Sequence, residues 1–79
     1  MGKQAYKHTY IAVQFEEGDN WSIIDCSGKI IVNEEYSSDD QISPITPDGT
    51  YWVKSFIDEK YRFYSIKSPH RPINTGEYI

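Results

Sequence analysis

Any chemistry in this chain has to come from a short list of side chains. Cys26 is the single thiol, and His8 and His70 are the two imidazoles. A nucleophilic cysteine needs a base beside it and a third group to hold that base. Cys26 closes an apolar run next to a turn, so it reads as a small half-buried hydrophobe. His8 and His70 stand far apart in polar sequence and read as exposed spectators. Together with one cysteine they do not make the four-ligand cluster of a zinc site. The carboxylates come as neighbours: Glu16-Glu17, Glu34-Glu35, Asp39-Asp40 and Asp58-Glu59. Paired acids act as general acid and base when unlike surroundings separate their pKa values. Neighbours in a turn share the same water and are simply solvated. Asp39-Asp40 lacks the alternating oxygens and fixed glycine of a calcium loop, and no glycine-rich phosphate cradle accompanies any pair. Asn20-Trp21-Ser22 matches a glycosylation acceptor, but without a secretory signal it reads as coincidence. The expectation is a protein that is not an enzyme, with no catalytic residue, no metal and no cofactor.

What remains is aromatic. Seven Tyr, three Phe and two Trp stand among 79 residues, and each ring can bury roughly 150–250 Å². Tyr51-Trp52 and the run Tyr61 to Tyr64 place rings on both faces of any strand that holds them, because successive side chains alternate. One face can form a core. The other must be covered, or stand exposed as an anchor for a partner. The candidate partner-binding residues are therefore Tyr36, Trp52 and Tyr64, with Glu34, Glu35, Asp39 and Asp40 beside them. The competing reading has Trp52 and Tyr64 closing a two-sided core.

The elements that must position these rings are strands. Tyr10 to Phe15 alternates and places Ile11, Val13 and Phe15 on one face. Glu16 to Asn20 reads as a turn, and Trp21 to Cys26 as the next strand, with imperfect alternation at Ile23-Ile24. Cys26-Ser27-Gly28-Lys29 predicts a tight hairpin in which Gly28 takes positive φ. The β-branched run Ile30-Ile31-Val32 continues it. Asn33 to Asp40 is polar and reads as a loop or a short turn of helix. Gln41 to Ile45, interrupted by Pro44, fits a short edge strand. Pro47-Asp48-Gly49 is the strongest local turn signal and leads into a strand over Thr50 to Phe56. Ile57 to Lys60 turns the chain again, and Tyr61 to Ile66 is a further aromatic strand. Ser68-Pro69-His70-Arg71-Pro72 blocks regular pairing, with Ile73 and Tyr78 as anchors of the tail. No stretch of ten residues carries a capped helical period. The fold class expected is all-β: a small antiparallel meander or partly closed barrel of about five to seven short strands.

Composition sets the remaining bounds. Residues 1–79 are a one-domain length, near the lower limit for a core without a staple. The net charge is −4, from twelve acidic and eight basic residues. The basic residues are scattered, so no phosphate-tracking surface forms and direct nucleic-acid binding is not expected. One cysteine cannot close an intrachain disulfide, no apolar run reaches membrane-spanning length, and the first residues lack a signal peptide. A cytoplasmic location follows as the default, although a piece of a secreted parent would have the same features.

Shifting the chain against itself by forty positions brings similar residues together. Ile11 falls on Tyr51, Val13 on Val53, Asp19 on Glu59, Trp21 on Tyr61, Ile23 on Phe63 and Ile24 on Tyr64. One further residue of slip sets Val32-Asn33 on Ile73-Asn74. Two units, 10–36 and 50–78, would each be too small to bury a face alone and would stack into one core. The first unit resembles the WG-type β-repeat family of bacteria through Trp21-Ser22-Ile23-Ile24-Asp25, Gly28-Lys29, Ile30-Ile31-Val32 and Tyr36. It departs at Ser22, where that family has glycine, and the second unit departs further, at Tyr61-Arg62 and Ser68. The resemblance implies a non-catalytic interaction module.

The leading functional expectation is accordingly a non-enzymatic protein–protein interaction module whose partner is another protein, with homo-oligomerisation left open. The alternative is a small acidic inhibitor from a mobile element or phage that blocks a basic groove, Glu34, Glu35, Asp39 and Asp40 standing in for phosphates. Its signature would be steep salt dependence. A third reading is a carbohydrate-binding module with rings stacked on sugars, which a glycan titration would separate.

Overall fold

Local turn chemistry sets the frame. Asp25 ends one strand and turns its carboxylate back over the following turn, accepting from Ser27 N–H at 2.9 Å, Ser27 Oγ at 2.7 Å and Lys29 N–H at 2.9 Å. Gly28 takes a φ of +89° within that turn, a conformation that costs glycine little and other residues more. Thr46, Asp48 and Thr50 close a second turn, the Thr46 and Thr50 hydroxyls both donating to the Asp48 carboxylate and Gly49 again lying at +89°.

The computed structural model describes residues 9–73. Its elements are β1 (Tyr10–Val13), β2 (Trp21–Asp25), β3 (Ile30–Tyr36), β4 (Gln41–Ile42), β5 (Thr50–Lys54) and β6 (Tyr61–Ser65). They form two three-stranded antiparallel meanders, β1-β2-β3 and β4-β5-β6. The protein is all-β, with no helix among the described residues. The sheets are separate and do not close into a barrel.

The core lies between the sheets. Ile23, Val32 and Tyr36 from the first meet Tyr51 and Val53 from the second, with Ile45 from the connecting loop; Tyr10, Ala12, Trp21, Ile31, Ile42, Tyr64 and Ile66 pack around them. Three tyrosines carry much of the contact, Tyr36 lying 5.8 Å from Tyr51 and 5.0 Å from Tyr64 between ring centroids.

Several expectations need correction. The alternation in β1 holds, and the face it gives Ile11 is the outer one: Ile11 is 53% exposed, while Tyr10 and Ala12 pack on the core. Alternation fixes which residues share a face; the neighbouring sheet decides which face is buried. The polar stretch after Val32 is no helix. β3 runs through it to Tyr36, which pairs with Trp21. The register shift on the way is absorbed at Glu34, in the left-handed region at φ 49°. Its N–H donates to the buried Ser22 Oγ at 2.7 Å. Cys26 is exposed rather than half-buried, because β2 ends at Asp25 and the turn carries the thiol outward. Ile73 is held by its backbone, its N–H donating to Phe63 O at 2.6 Å, and Tyr78 lies outside the described residues.

The two long hairpins share one register. Tyr10 pairs with Asp25, Ile11 with Ile24, Ala12 with Ile23 and Val13 with Ser22. Forty positions along, Thr50 pairs with Ser65, Tyr51 with Tyr64, Trp52 with Phe63 and Val53 with Arg62. The turns after β2 and β6 correspond as well. Gly28 N–H donates to Asp25 O, and Ser68 N–H to Ser65 O. Ser27 N–H donates to the Asp25 carboxylate, and Lys67 N–H to Ser65 Oγ. The bond from Ile73 to Phe63 stands where Val32 pairs with Ile23.

Candidate interaction surface

With Tyr51 and Val53 turned into the core, strand alternation turns Thr50, Trp52 and Lys54 of β5 to the other side. Cross-strand partners share a face, so Ser65, Phe63 and Tyr61 of β6 lie beside them. Trp52 and Tyr61 meet edge to face, with centroids 4.9 Å apart and planes at 75°. Lys54 Nζ sits 5.5 Å from the Tyr61 centroid, in range for cation–π attraction. Tyr61 is 44% exposed and Phe63 37%, while Trp52 is half-buried. A shallow concavity of about 270 Å³ runs from this face to Pro44 and Thr46. The hairpin tip adds Phe56 and Ile57, the latter 90% exposed. Arg62 braces the tip by a 2.8 Å pair with Asp58. That guanidinium, helped by Lys60 N–H, holds the Asp58 carboxyl down at about 2.

A second apolar depression, a groove of about 430 Å³, follows the outer edge of β1. It is lined by Tyr10, Ala12 and Trp21 on one side and Ile42, Pro44 and Ile45 on the other. Among the described residues no strand pairs with that edge.

The residues singled out from sequence separate into three places. Trp52 lies on the outer face. Tyr64 lies on the opposite face of the same hairpin, stacked on Tyr51 at 5.9 Å and packed against the core. Tyr36 is 6% exposed and does not present its ring to a partner. Its hydroxyl donates to Pro69 O at 2.9 Å and, with its one proton committed there, accepts from Tyr51 at 2.5 Å. Burial pushes the Tyr51 hydroxyl up to about 12 and raises that of Tyr36 as well.

The four carboxylates have different surroundings. Glu34 is exposed in the β3 irregularity, and Glu35 Oε2 lies 3.1 Å from His70 Nδ1. Asp39 is exposed in the turn before β4. Asp40 is structural: its Oδ1 accepts from Phe56 N–H at 2.9 Å, and its carbonyl from Trp21 Nε1–H at 3.1 Å. No group of three His, Cys, Asp or Glu gathers at metal-binding distance among the described residues, and no helix among them is long and apolar enough to cross a membrane.

Tyr61 and Phe63 were missed as members of the outer face. The signal was present in the register: once a hairpin joins Trp52 to the strand after Lys60, alternate residues of that strand fall beside the indole. No family model, no curated protein and no solved structure matches the chain.

Proposed function

We propose that this chain is a non-enzymatic protein–protein interaction module whose contact surface is the outer face of the β5–β6 hairpin. The observation that carries the reading is the cluster Trp52, Tyr61 and Phe63 on strands whose opposite side is core. Large rings held on a rigid sheet supply contact area at low entropy cost, and exposed apolar clusters of this kind mark interaction sites. The acidic-inhibitor reading has weaker support, since Glu35 and Asp40 already have partners within the chain. We also infer an internal duplication, supported by the shared hairpin register and by the paired turns after β2 and β6. The exposed Cys26 thiol fits a reducing, cytoplasmic setting.

The test is site-directed photo-crosslinking in cells, with the reactive residue placed at Tyr61 and, as a control, at Lys29 in the far turn. A defined protein adduct from position 61 alone, lost when Trp52 is replaced by Ala, is the expected result. Equal labelling from both positions would reject the surface.

A further inference from the structure

The two sheets are packed front to back. In the first, the inward face carries Tyr10, Ala12, Trp21 and Ile23; call this the front. Forty positions along, the front of the second sheet is Thr50, Trp52, Tyr61 and Phe63, and it faces outward. The back of the second sheet, Tyr51, Val53 and Tyr64, is what the first sheet's front rests on. The corresponding back of the first sheet is Ile11, Val13 and Ile24, with Ile30 paired to Ile24. Its exposed part is the Ile11–Ile30 end, Ile11 at 53% and Ile30 at 48% exposed, while Val13 and Ile24 are half-buried and Ser22, paired with Val13, is covered. Among the described residues there is therefore one front-on-back interface, with the exposed Ile11–Ile30 back at one side and the exposed Trp52–Tyr61 front at the other. Both are apolar.

We infer that a second copy of this chain is the partner, seating the isoleucine back of its first sheet on the Trp52–Tyr61 front. The inference rests on the outer face being a binding surface and names its occupant. The contact already made inside the molecule argues for that occupant, because it joins the register-equivalent faces of the two hairpins. The side chains exchange in a compensating way: inside the chain the front offers Ile23 and the back Tyr64, whereas between copies the front offers Phe63 and the back Ile24. One aliphatic and one aromatic group stand at that register position in either case, which keeps the summed volume of that pair similar. Such a contact is heterologous. It does not close on itself as a two-fold pair does, so each added copy leaves a fresh front and a fresh back, and growth continues as a stack unless a ring forms.

Complementary blocking tests this on the full chain. Ile11→Glu puts a charge on the back and leaves the front intact; Tyr61→Glu does the reverse. In sedimentation over a wide concentration range, the wild type should show mass rising with concentration. Each variant alone should stay monomeric, its self-association weakened ~30-fold or more, as expected for loss of a central anchor. Mixed one to one, they should form a heterodimer and nothing larger, since only one front and one back remain able to meet. Circular dichroism and hydrogen exchange establish that each variant is folded, and Ile30→Glu with Tyr61→Ser provides a second pair. Self-association that survives in either variant alone would overturn the inference, as would a mixture that remains monomeric. A wild type that stays monomeric throughout would overturn it too. In that last case an adduct with a different protein from position 61 would leave the interaction-module reading standing, which separates the two failures.

Discussion

The β1–β2 and β5–β6 hairpins pair their residues alike and bury opposite faces. Tyr51 is almost wholly inside, and its counterpart Ile11 is mostly outside. Trp52 lies on the outer surface, and its counterpart Ala12 packs on the core. Pairing register is a local property, set by turn geometry and strand length. The buried face is a property of the neighbour. A sheet with apolar groups on both sides serves equally well as a bottom layer or a top layer, and here the two hairpins occupy those two roles.

That contrast can be broken most forcefully at Tyr51. Tyr51→Ala should cost ~3–5 kcal/mol in urea unfolding, as for other buried rings, and it also removes the donor to Tyr36. Ile11→Ala, at the equivalent pairing position, should cost under ~1 kcal/mol because its side chain is already in water. Similar losses at both positions would mean that the first hairpin buries its other face.

Alkaline titration should sharpen the same contrast, since the tyrosine cluster belongs to the interior and the isoleucine surface has nothing to ionise. Below pH ~10 Tyr51 is protonated in both folded and unfolded chains, and its contribution is fully present. Above that, the unfolded chain releases the proton while the native one holds it until about 12. Stability should therefore fall across that interval by ~2 kcal/mol. Tyrosinate absorbance tracking the loss of near-ultraviolet dichroism would verify it; a native spectrum unchanged above pH 12 would contradict it.

The turns provide the finest comparison. Gly28 and Gly49 share a φ of +89°, but a Cβ at Gly28 meets open space, whereas at Gly49 it would lie 2.7 Å from Ile66 Cγ1. Gly28→Ala should cost ~1 kcal/mol from backbone strain alone. Gly49→Ala should cost roughly twice that in the same urea series, because Ile66, packed against the core, must shift as well.

Much of the fold was legible because its signals are local. The Gly28 and Pro47-Asp48-Gly49 turns, the β-branched run at Ile30 and the aromatic runs at Tyr51 and Tyr61 each act within a few residues. What stayed hidden depends on distant partners. Tyr36 sits alone in a polar stretch, and only its pairing with Trp21 and its hydroxyl bonds across the core reveal a buried role. Glu34 looks like a solvated carboxylate, yet its backbone accommodates the extra residues that bring Tyr36 inward. Of the candidate surface, Trp52 could be named from sequence, while Tyr61 and Phe63 required the strand register that places them beside it.

The Tyr36 hydroxyl has a temporal consequence. Its proton goes to the carbonyl of Pro69, near the carboxyl-terminal end of the described residues, and its lone pair receives the proton of Tyr51. During translation the ribosome releases Tyr36 long before either group emerges. Until Pro69 has left the exit tunnel, the Tyr36 hydroxyl of the first sheet lacks the carbonyl that accepts its proton in the fold. The tyrosine cluster is thus completed only once the segment beyond β6 has been made, and a product cut short before Pro69 lacks the acceptor that the Tyr36 proton has in the intact fold.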